Sequence, residues 1–172
     1  MRKELIQEAI RLTQECLTRY WQLDCEFVLG YCDEDVVWIG SLNEEFIEGR
    51  AATEADLRAA IREIKPCHLE RQEFLAVQSI GTACTVVGRY LTTTDEEVGY
   101  FIQAQQRCTF TWELVHGAWK LKHIHVSNPM GELKVSEGER FVNALGEMTK
   151  RYMQHRLSDR QQESRIVTTD SM

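Results

Sequence analysis

Two histidines lie two residues apart in the segment AWKLKHIHVSNP, which ends in an Asn-Pro pair. His123 and His125 carry imidazoles, the side chains whose charge changes nearest neutral pH. Residues two apart on a strand share a face, so the pair could act on a substrate, bind an ion or line a pocket. A metal site needs a third ligand, and only His68, with no supporting spacing, is available. We therefore predict no metal and no cofactor.

The segment that precedes the histidines predicts a hairpin. If His116-Gly117 is a two-residue turn, the residues of the two strands pair by counting outward from it. The pairs expected on one face are Leu114–Trp119, Trp112–Leu121, Phe110–His123, Cys108–His125 and Gln106–Ser127. This face is apolar near the turn and more polar at the far end, so we predict that it is buried and that both histidines point inward. Buried imidazoles without partners cost a few kcal/mol each, so they should have partners.

The rest of the chain must supply the elements that position this hairpin. Helical periodicity covers RKELIQEAIRLTQECLTRYWQLD and the short segment CEFVLG, and two short strands, DVVWIGS and EEFIEGR, follow. Thr53 resembles the N-cap of a third helix, which Pro66 stops. Four long strands run from Cys67 to the Asn-Pro pair. This order predicts an α+β fold in which helices cover one face of a curved antiparallel sheet.

Bulk composition excludes several classes of function. The chain has 172 residues and a net charge of −7, and we see no cluster of Lys and Arg that would bind nucleic acid. It contains no apolar run that would cross a membrane, and its charged N-terminus does not resemble a signal peptide. Six cysteines without a CxxC pair predict reduced, buried thiols. We therefore expect a cytoplasmic protein.

The C-terminal part differs from the rest. Phe141, Leu145, Met148 and Tyr152 form a heptad-like stripe within GERFVNALGEMTKRYMQHRLSDRQQES, and the last residues are polar. We predict two parts: a domain over 1–130, and a C-terminal helix with a loose tail over 131–172. The helix would pack on its own domain, mediate a dimer, or lead to a further domain, and we favour the first two.

The segments GAWKLKHIHVSNP, DVVWIGS and FIEGRAATEADLRAAI resemble the SnoaL-like group of the nuclear transport factor 2-like superfamily, over roughly residues 3 to 130. The resemblance implies a cone-shaped α+β barrel with a pocket at its open end. It also implies that a homodimer through the outer face of the sheet is frequent. Members include isomerases, cyclases, dehydratases, association domains and ligand-binding or sensory domains, some of them in bacterial regulators.

The resemblance turns the predicted inner face into a pocket wall. We expect it to be lined by Trp38, Gln106, Cys108, Phe110, Trp112, Trp119, His123 and Ser127. Either Arg89 or Tyr90 should add a further polar group, because adjacent strand residues face opposite ways. The partners we expect are a second copy of the chain and an unknown small apolar or partly polar ligand.

Two functions compete for this pocket. We expect a non-catalytic small-molecule-binding or sensory domain of a bacterial protein that dimerises. The alternative is a small isomerase or hydro-lyase that uses His125 as acid and base on an apolar oxygenated substrate. Members that isomerise steroids would require an interior Asp, and the long strands contain none, which argues against that chemistry. A third possibility is a dimerising module whose pocket is vestigial.

Overall fold

A computed structural model of the chain describes residues 2–41, 45–94 and 103–128, all within one compact unit of residues 1–133. Three helices are present in these ranges: α1 (Lys3–Trp21), α2 (Cys25–Tyr31) and α3 (Arg50–Ala60). None of them is long and apolar enough to span a membrane. The strands are β1 (Cys32–Ile39), β2 (Phe46–Glu48), β3 (Cys67–Ile80), β4 (Ala83–Thr94), β5 (Gln103–Val115) and β6 (Ala118–Ser127). The predicted C-terminal helix and tail lie outside the described residues.

The strands form one mixed sheet in the order β2-β1-β6-β5-β4-β3. All neighbouring strands are antiparallel except β1 and β6, which run parallel. The four long strands form the predicted meander, and β1 and β2 extend it beyond β6. The predicted α+β fold, with N-terminal helices against a curved sheet, is confirmed.

The start of α3 differs from the prediction. The helix begins at Arg50, after Gly49 with φ 84°, a backbone conformation that glycine adopts readily. Thr53 is not the N-cap. It lies in the first turn, is buried, and donates its hydroxyl proton to the carbonyl oxygen of Gly49 at 3.0 Å. The conformational freedom of Gly49 thus sets the start of the helix, and the prediction based on Thr53 is wrong.

The core lies between α1 and one face of the sheet, which we call the inner face. The amphipathic pattern of α1 buries Ala9, Leu12 and Cys16. The fully buried Trp112 donates its indole N–H to the hydroxyl of Thr13 at 2.8 Å. Thr13 in turn donates to the carbonyl oxygen of Ala9. This chain of hydrogen bonds lets α1 pack on the middle of the sheet without leaving the Trp112 indole or the Thr13 hydroxyl unpaired.

Near its turn the last hairpin has the predicted pairing of residues, but further along it contains a β-bulge. His116 and Gly117 form the turn, with φ 50° and 83°, and Trp112 pairs with Leu121 as predicted. One residue further, Thr111 pairs with His123, so Lys122 has no residue opposite it. Side chains alternate along a strand, so this extra residue reverses the facing of every later position of β6.

Because of the bulge, two aliphatic side chains occupy the inward positions that were predicted for the two imidazoles. Ile124 pairs with Phe110 and is fully buried, and Val126 pairs with Cys108. Lys122 meanwhile reaches two carboxylates at the start of β1, with its Nζ 2.5 Å from an oxygen of Asp35 and 3.4 Å from one of Asp33. Burial of these apolar side chains and the ion pairs of Lys122 together favour the bulged register over the register predicted by counting from the turn.

Candidate functional site

Three polar atoms are buried on the inner side of the sheet without a hydrogen-bond partner in the described part of the chain. They are the indole Nε1 of Trp21, the hydroxyl oxygen of Tyr90 and the Oε1 of Gln106. We call these three residues the inner polar cluster. Buried polar groups in native proteins nearly always have a partner, so such a group of exceptions needs an explanation, of which a bound water or ligand is one.

Strand pairing and the end of α1 bring the cluster together. Tyr90 of β4 and Gln106 of β5 lie directly opposite each other and are both buried. Trp21 is the last residue of α1. Its indole faces the Tyr90 hydroxyl closely enough to lower the pKa of that group through a weak hydrogen bond, although the geometry is poorer than that of a regular one.

Aromatic rings surround the cluster. The Phe74 ring stacks on Tyr90 with a centroid distance of 6.3 Å, and Tyr20 contacts both Trp21 and Trp38, at 5.4 and 5.8 Å. These contacts hold the three polar groups in a largely apolar wall. An apolar wall with a few fixed polar groups is the usual composition of a small-molecule site.

A second hydrogen bond orients Gln106. Its amide Nε2 donates to the Oδ1 of Asn128 at 3.1 Å, just beyond the end of β6. The amide nitrogen is thereby engaged, and Oε1 is left as an acceptor without a donor. The cluster therefore offers one fixed acceptor in Gln106, one fixed donor in Trp21, and a hydroxyl in Tyr90 that can do either.

The cluster is electrically neutral. Burial raises the pKa of Tyr90 well above its ordinary value, the Cys108 thiol adds to the rise, and Trp21 opposes it. Burial also raises the pKa of Cys108 to about 12. The inward positions of β4 to β6 carry no Asp, Glu, Lys or Arg within the described ranges. At neutral pH the three residues of the cluster can therefore exchange hydrogen bonds with a bound molecule, but none of the three carries a charge.

Most of the residues predicted to line a pocket do lie on the inner side. Trp38, Cys108, Phe110 and Trp112 are buried there, and the half-buried Trp119 packs against the same core. Trp112 already has Thr13 as its partner, and its ring packs on Phe110 and Tyr31, so these rings fill the core. Trp38 and Cys108 lie closer to the inner polar cluster, through Tyr20 and Tyr90 respectively.

The two histidines do not reach this side. His123 pairs with Val37 on one strand and Thr111 on the other, and His125 pairs with Ile39 and Thr109. Both imidazoles are half-buried on the opposite side of the sheet, which we call the outer face. The prediction that they point inward is wrong, because the count did not include the bulge at Lys122.

The same bulge moves Ser127, which pairs with Arg107 on the outer face and not with Gln106. It also removes the base that the enzymatic alternative required, because His125 cannot reach a molecule bound at Tyr90 and Gln106. Within residues 2–41, 45–94 and 103–128, no three His, Cys, Asp or Glu side chains are placed to hold a metal ion.

Sequence reasoning left Arg89 and Tyr90 as alternatives and did not identify Trp21 or Asn128. The structure turns Tyr90 inward and Arg89 outward, where Arg89 pairs with Glu73 at 2.7 Å. The alternation of Cys84, Val86 and Tyr90 contained this signal, because one strand face repeats every second residue. Asn128 carries no such periodic signal, since it lies beyond the end of its strand.

Comparison with known proteins agrees with the observed fold. Residues 11–131 match the sequence profile of a family described as the SnoaL-like domain. None of the curated proteins is significantly similar in sequence.

Solved structures share the fold at low sequence identity. A nuclear transport factor 2-like protein of unknown function from Pseudomonas putida KT2440 superposes with a TM-score of 0.62 and 16% identity, over 78% of this chain and 94% of that one. A candidate ketosteroid isomerase from Parabacteroides distasonis gives 0.59 and 16%, over 75% and 91%. The association domain of CaMKII from C. elegans gives 0.55 and 21%, over 73% and 97%.

Proposed function

The chain belongs to the SnoaL-like domain family, and from this premise we propose that it is a non-catalytic binding module that works as a homodimer. The ligand is a small, uncharged, oxygen-bearing molecule held on the inner face. One observation carries the proposal: the three buried polar atoms of Trp21, Tyr90 and Gln106 have no partner in the described protein. A molecule that pairs with them would remove a desolvation cost of about 1–3 kcal/mol for each group.

The chemistry of the cluster indicates what kind of molecule fits. The Trp21 indole can only donate and the Gln106 Oε1 can only accept, so the ligand needs both an acceptor and a donor. A carbonyl and a hydroxyl meet this requirement, with the Tyr90 hydroxyl available to either. A carboxylate or ammonium group would be buried without an opposite charge, which is strongly unfavourable.

The protonation states of the same groups support the proposal that the domain is non-catalytic. A general base works best with a pKa near the working pH. Burial raises the pKa of both Tyr90 and Cys108, which keeps them protonated at neutral pH. Without His125 on this side, the cluster supplies hydrogen bonds but no group that would take up a proton.

A matched pair of probes tests the ligand class. Para-hydroxyacetophenone carries a carbonyl and a hydroxyl, and para-hydroxybenzoate replaces the neutral carbonyl group by a carboxylate. We expect the ketone to raise the melting temperature of the protein and to quench tryptophan fluorescence, because a ligand that binds the native state stabilises it. The benzoate should do neither.

Two substitutions test whether the stabilisation by the ketone depends on the inner polar cluster. Tyr90→Phe and Gln106→Leu should each abolish most of the stabilisation by the ketone. Tyr31→Phe is the control, because it removes the same hydroxyl from a half-buried tyrosine at the end of α2. Full stabilisation in both cluster variants, or equal stabilisation by the benzoate, would contradict the proposal.

The outer face supports the homodimer. The large hydrophobic side chains that are most exposed in the described ranges are Phe46, Leu75, Val77 and Ile80, all on the strands at the two edges of the sheet. Large exposed apolar areas are typical of interaction surfaces. One solved structure with the same fold is an association domain, which is compatible with such a role here.

Sedimentation velocity tests the dimer directly. The wild-type chain should sediment as a species of twice 20.0 kDa. Leu75→Glu puts a charge on the outer face and should raise the dimer dissociation constant, while Ala51→Glu, on an exposed position of α3, should leave it unchanged. We also propose a reducing, cytoplasmic location, which is supported by six free, buried thiols.

A further inference from the structure

This inference rests on the homodimer proposed above. We infer that the two copies meet across the middle of the outer face, with His123 and His125 neutral at the centre of the interface, so that acidification separates them. The occupant of the face is a second copy of this chain, and the two imidazoles control its affinity.

Two rows of side chains define the middle of the outer face on β1, β6, β5 and β4. The first row consists of Val37, His123, Thr111 and Thr85, and the second consists of Ile39, His125, Thr109 and Val87. None of these eight residues carries a permanent charge, and the imidazoles are their only groups that titrate near neutral pH. Depletion of charge at the centre with polar groups around it is the usual composition of a protein interface.

The edges of the sheet extend the apolar character of these rows. Phe46 of β2 pairs with Ile39 and is 63% exposed, and Leu75 of β3 pairs with Val87 and is 55% exposed. The second row therefore begins and ends in a large apolar side chain that a single copy leaves in water. A second copy on this face would remove both from solvent.

Charged groups surround the two rows. Arg107 and Arg89 lie opposite each other beyond one end, and Glu113 and Lys120 lie opposite each other beyond the other end. Glu48, on edge strand β2, pairs with Val37 and is one strand removed from His123. These groups leave the centre uncharged and form a charged rim around it.

Among the described residues, neither imidazole forms an ion pair with a carboxylate, and Glu48 is separated from His123 by Val37. Asp33 and Asp35, on the strand next to β6, are both engaged by Lys122. On β5 the side chains that face the histidines are hydroxyls of Thr109 and Thr111. A proton taken up at the centre would therefore add positive charge with no local partner, and each copy of a symmetric dimer would contribute two such groups.

Even in a single copy, the surroundings of His123 disfavour its protonation. Burial lowers the pKa of His123 below its ordinary value, repulsion from His125 lowers it further, and the backbone of Val37 opposes the change. Covering the face with a second copy adds burial and more like charges. Both effects lower the affinity of the assembled form for protons relative to the separated form.

The direction of the pH effect follows by linkage. Because the separated copies bind protons more tightly than the dimer, the dimer weakens as the pH falls through the pKa that His123 has in a separated folded copy, which lies below its ordinary value. With one or more protons taken up by each copy on separation, the dissociation constant should rise as the pH falls from about 7.5 to about 5.5.

The experiment is sedimentation of the full chain at these two pH values, with circular dichroism to show that the protein stays folded at the lower one. We expect the wild type to shift from dimer toward folded monomer on acidification. His123→Gln/His125→Gln, which keeps polar side chains that cannot titrate, should remain dimeric at both values. His116→Asn is the control, since it removes a histidine at the hairpin turn, and it should behave like the wild type.

The outcomes separate the two proposals. A chain that is monomeric at the higher pH contradicts the homodimer and with it this inference. A dimer whose dissociation constant is unchanged on acidification, or a double variant that keeps the wild-type pH dependence, contradicts the inference alone. Unfolding at the lower pH without a folded monomer also overturns it. If the double variant does not fold, the single variants His123→Gln and His125→Gln should each reduce the pH dependence.

Discussion

Thr111 and His123 lie directly opposite each other in the last hairpin, one residue later on β6 than an uninterrupted ladder would place them. The extra residue is Lys122, which leaves the ladder and pairs with carboxylates of β1. This single insertion decides which side of the sheet receives the imidazoles. As a result, the neutral inner polar cluster and the two histidines lie on opposite faces of the sheet.

The bulged register predicts that substitutions at two neighbouring residues lower the free energy of unfolding by very different amounts. Ile124→Ala should lower the free energy of unfolding by about 2–4 kcal/mol, because it removes a fully buried side chain and leaves a cavity. His123→Ala should cost less than about 1 kcal/mol, because the imidazole is half-buried beside hydroxyl and aliphatic groups. Urea denaturation of both variants at pH about 7.5 measures the difference.

Val126→Ala serves as a reference for this pair, since Val126 is only partly buried on the inner side and should fall between the two. A larger loss for His123→Ala than for Ile124→Ala would mean that the imidazole occupies the core and that the register is the counted one.

Residue types and spacing were enough to predict the elements and their order, because helical and strand periodicities are local. The hairpin turn was also predictable, since an X-Gly pair between strands favours a two-residue turn. The bulge was not, because its cause is distant in sequence: Lys122 pairs with Asp33 and Asp35, which belong to β1. A count along one hairpin contains no information about a third strand.

The site was predictable only in part for a related reason. The buried aromatic and thiol side chains of the inner face follow from alternation, and Tyr90 follows from the same pattern as Cys84 and Val86. The cluster also requires that the end of α1 contacts β4, which brings Trp21 close to Tyr90 although the two residues are far apart in the sequence. Such a contact between distant segments is a tertiary property that no short motif carries.

The contact between Thr13 and Trp112 should be important for stability. Thr13→Val keeps the shape of the side chain but leaves the buried indole N–H of Trp112 without its acceptor. We expect a loss of about 1–3 kcal/mol in the free energy of unfolding, measured by urea denaturation.

Thr18→Val is the matched control for that substitution. Thr18 also donates to a backbone carbonyl of α1, that of Gln14 at 2.9 Å, but it does not accept a bond from a buried indole. Equal losses for Thr13→Val and Thr18→Val would show that the indole does not depend on Thr13.

The cysteines should be nearly unreactive in the native protein. All six thiols are reduced and buried, and burial raises the pKa of Cys108 to about 12 and that of Cys32 to about 11. The thiolate is the reactive form, so a thiol reagent at pH about 8 should label native protein slowly. Adding denaturant should release six reactive thiols per chain, and rapid labelling of several thiols without denaturant would contradict the described burial.

Unfolding should depend on pH through His123. The pKa of this group is lowered in the folded chain, so the unfolded chain binds a proton more readily. Stability from this group is therefore fully present above the unfolded pKa of about 6.5 and is lost as the pH falls through the folded value. His123→Gln should flatten the dependence of the melting temperature on pH over that range, whereas His116→Asn should not. An unchanged profile for His123→Gln would contradict the cause assigned to the shift.

Nuclear magnetic resonance of the last hairpin tests the central claim most directly, because directly opposite residues have Cα atoms only about 4.5–5.5 Å apart. The bulged register predicts cross-strand proton contacts of Thr111 with His123 and of Thr109 with His125. Contacts of Phe110 with His123 and of Cys108 with His125 would instead place both imidazoles inside the sheet. That result would contradict the separation of a neutral inner site from a titrating outer face.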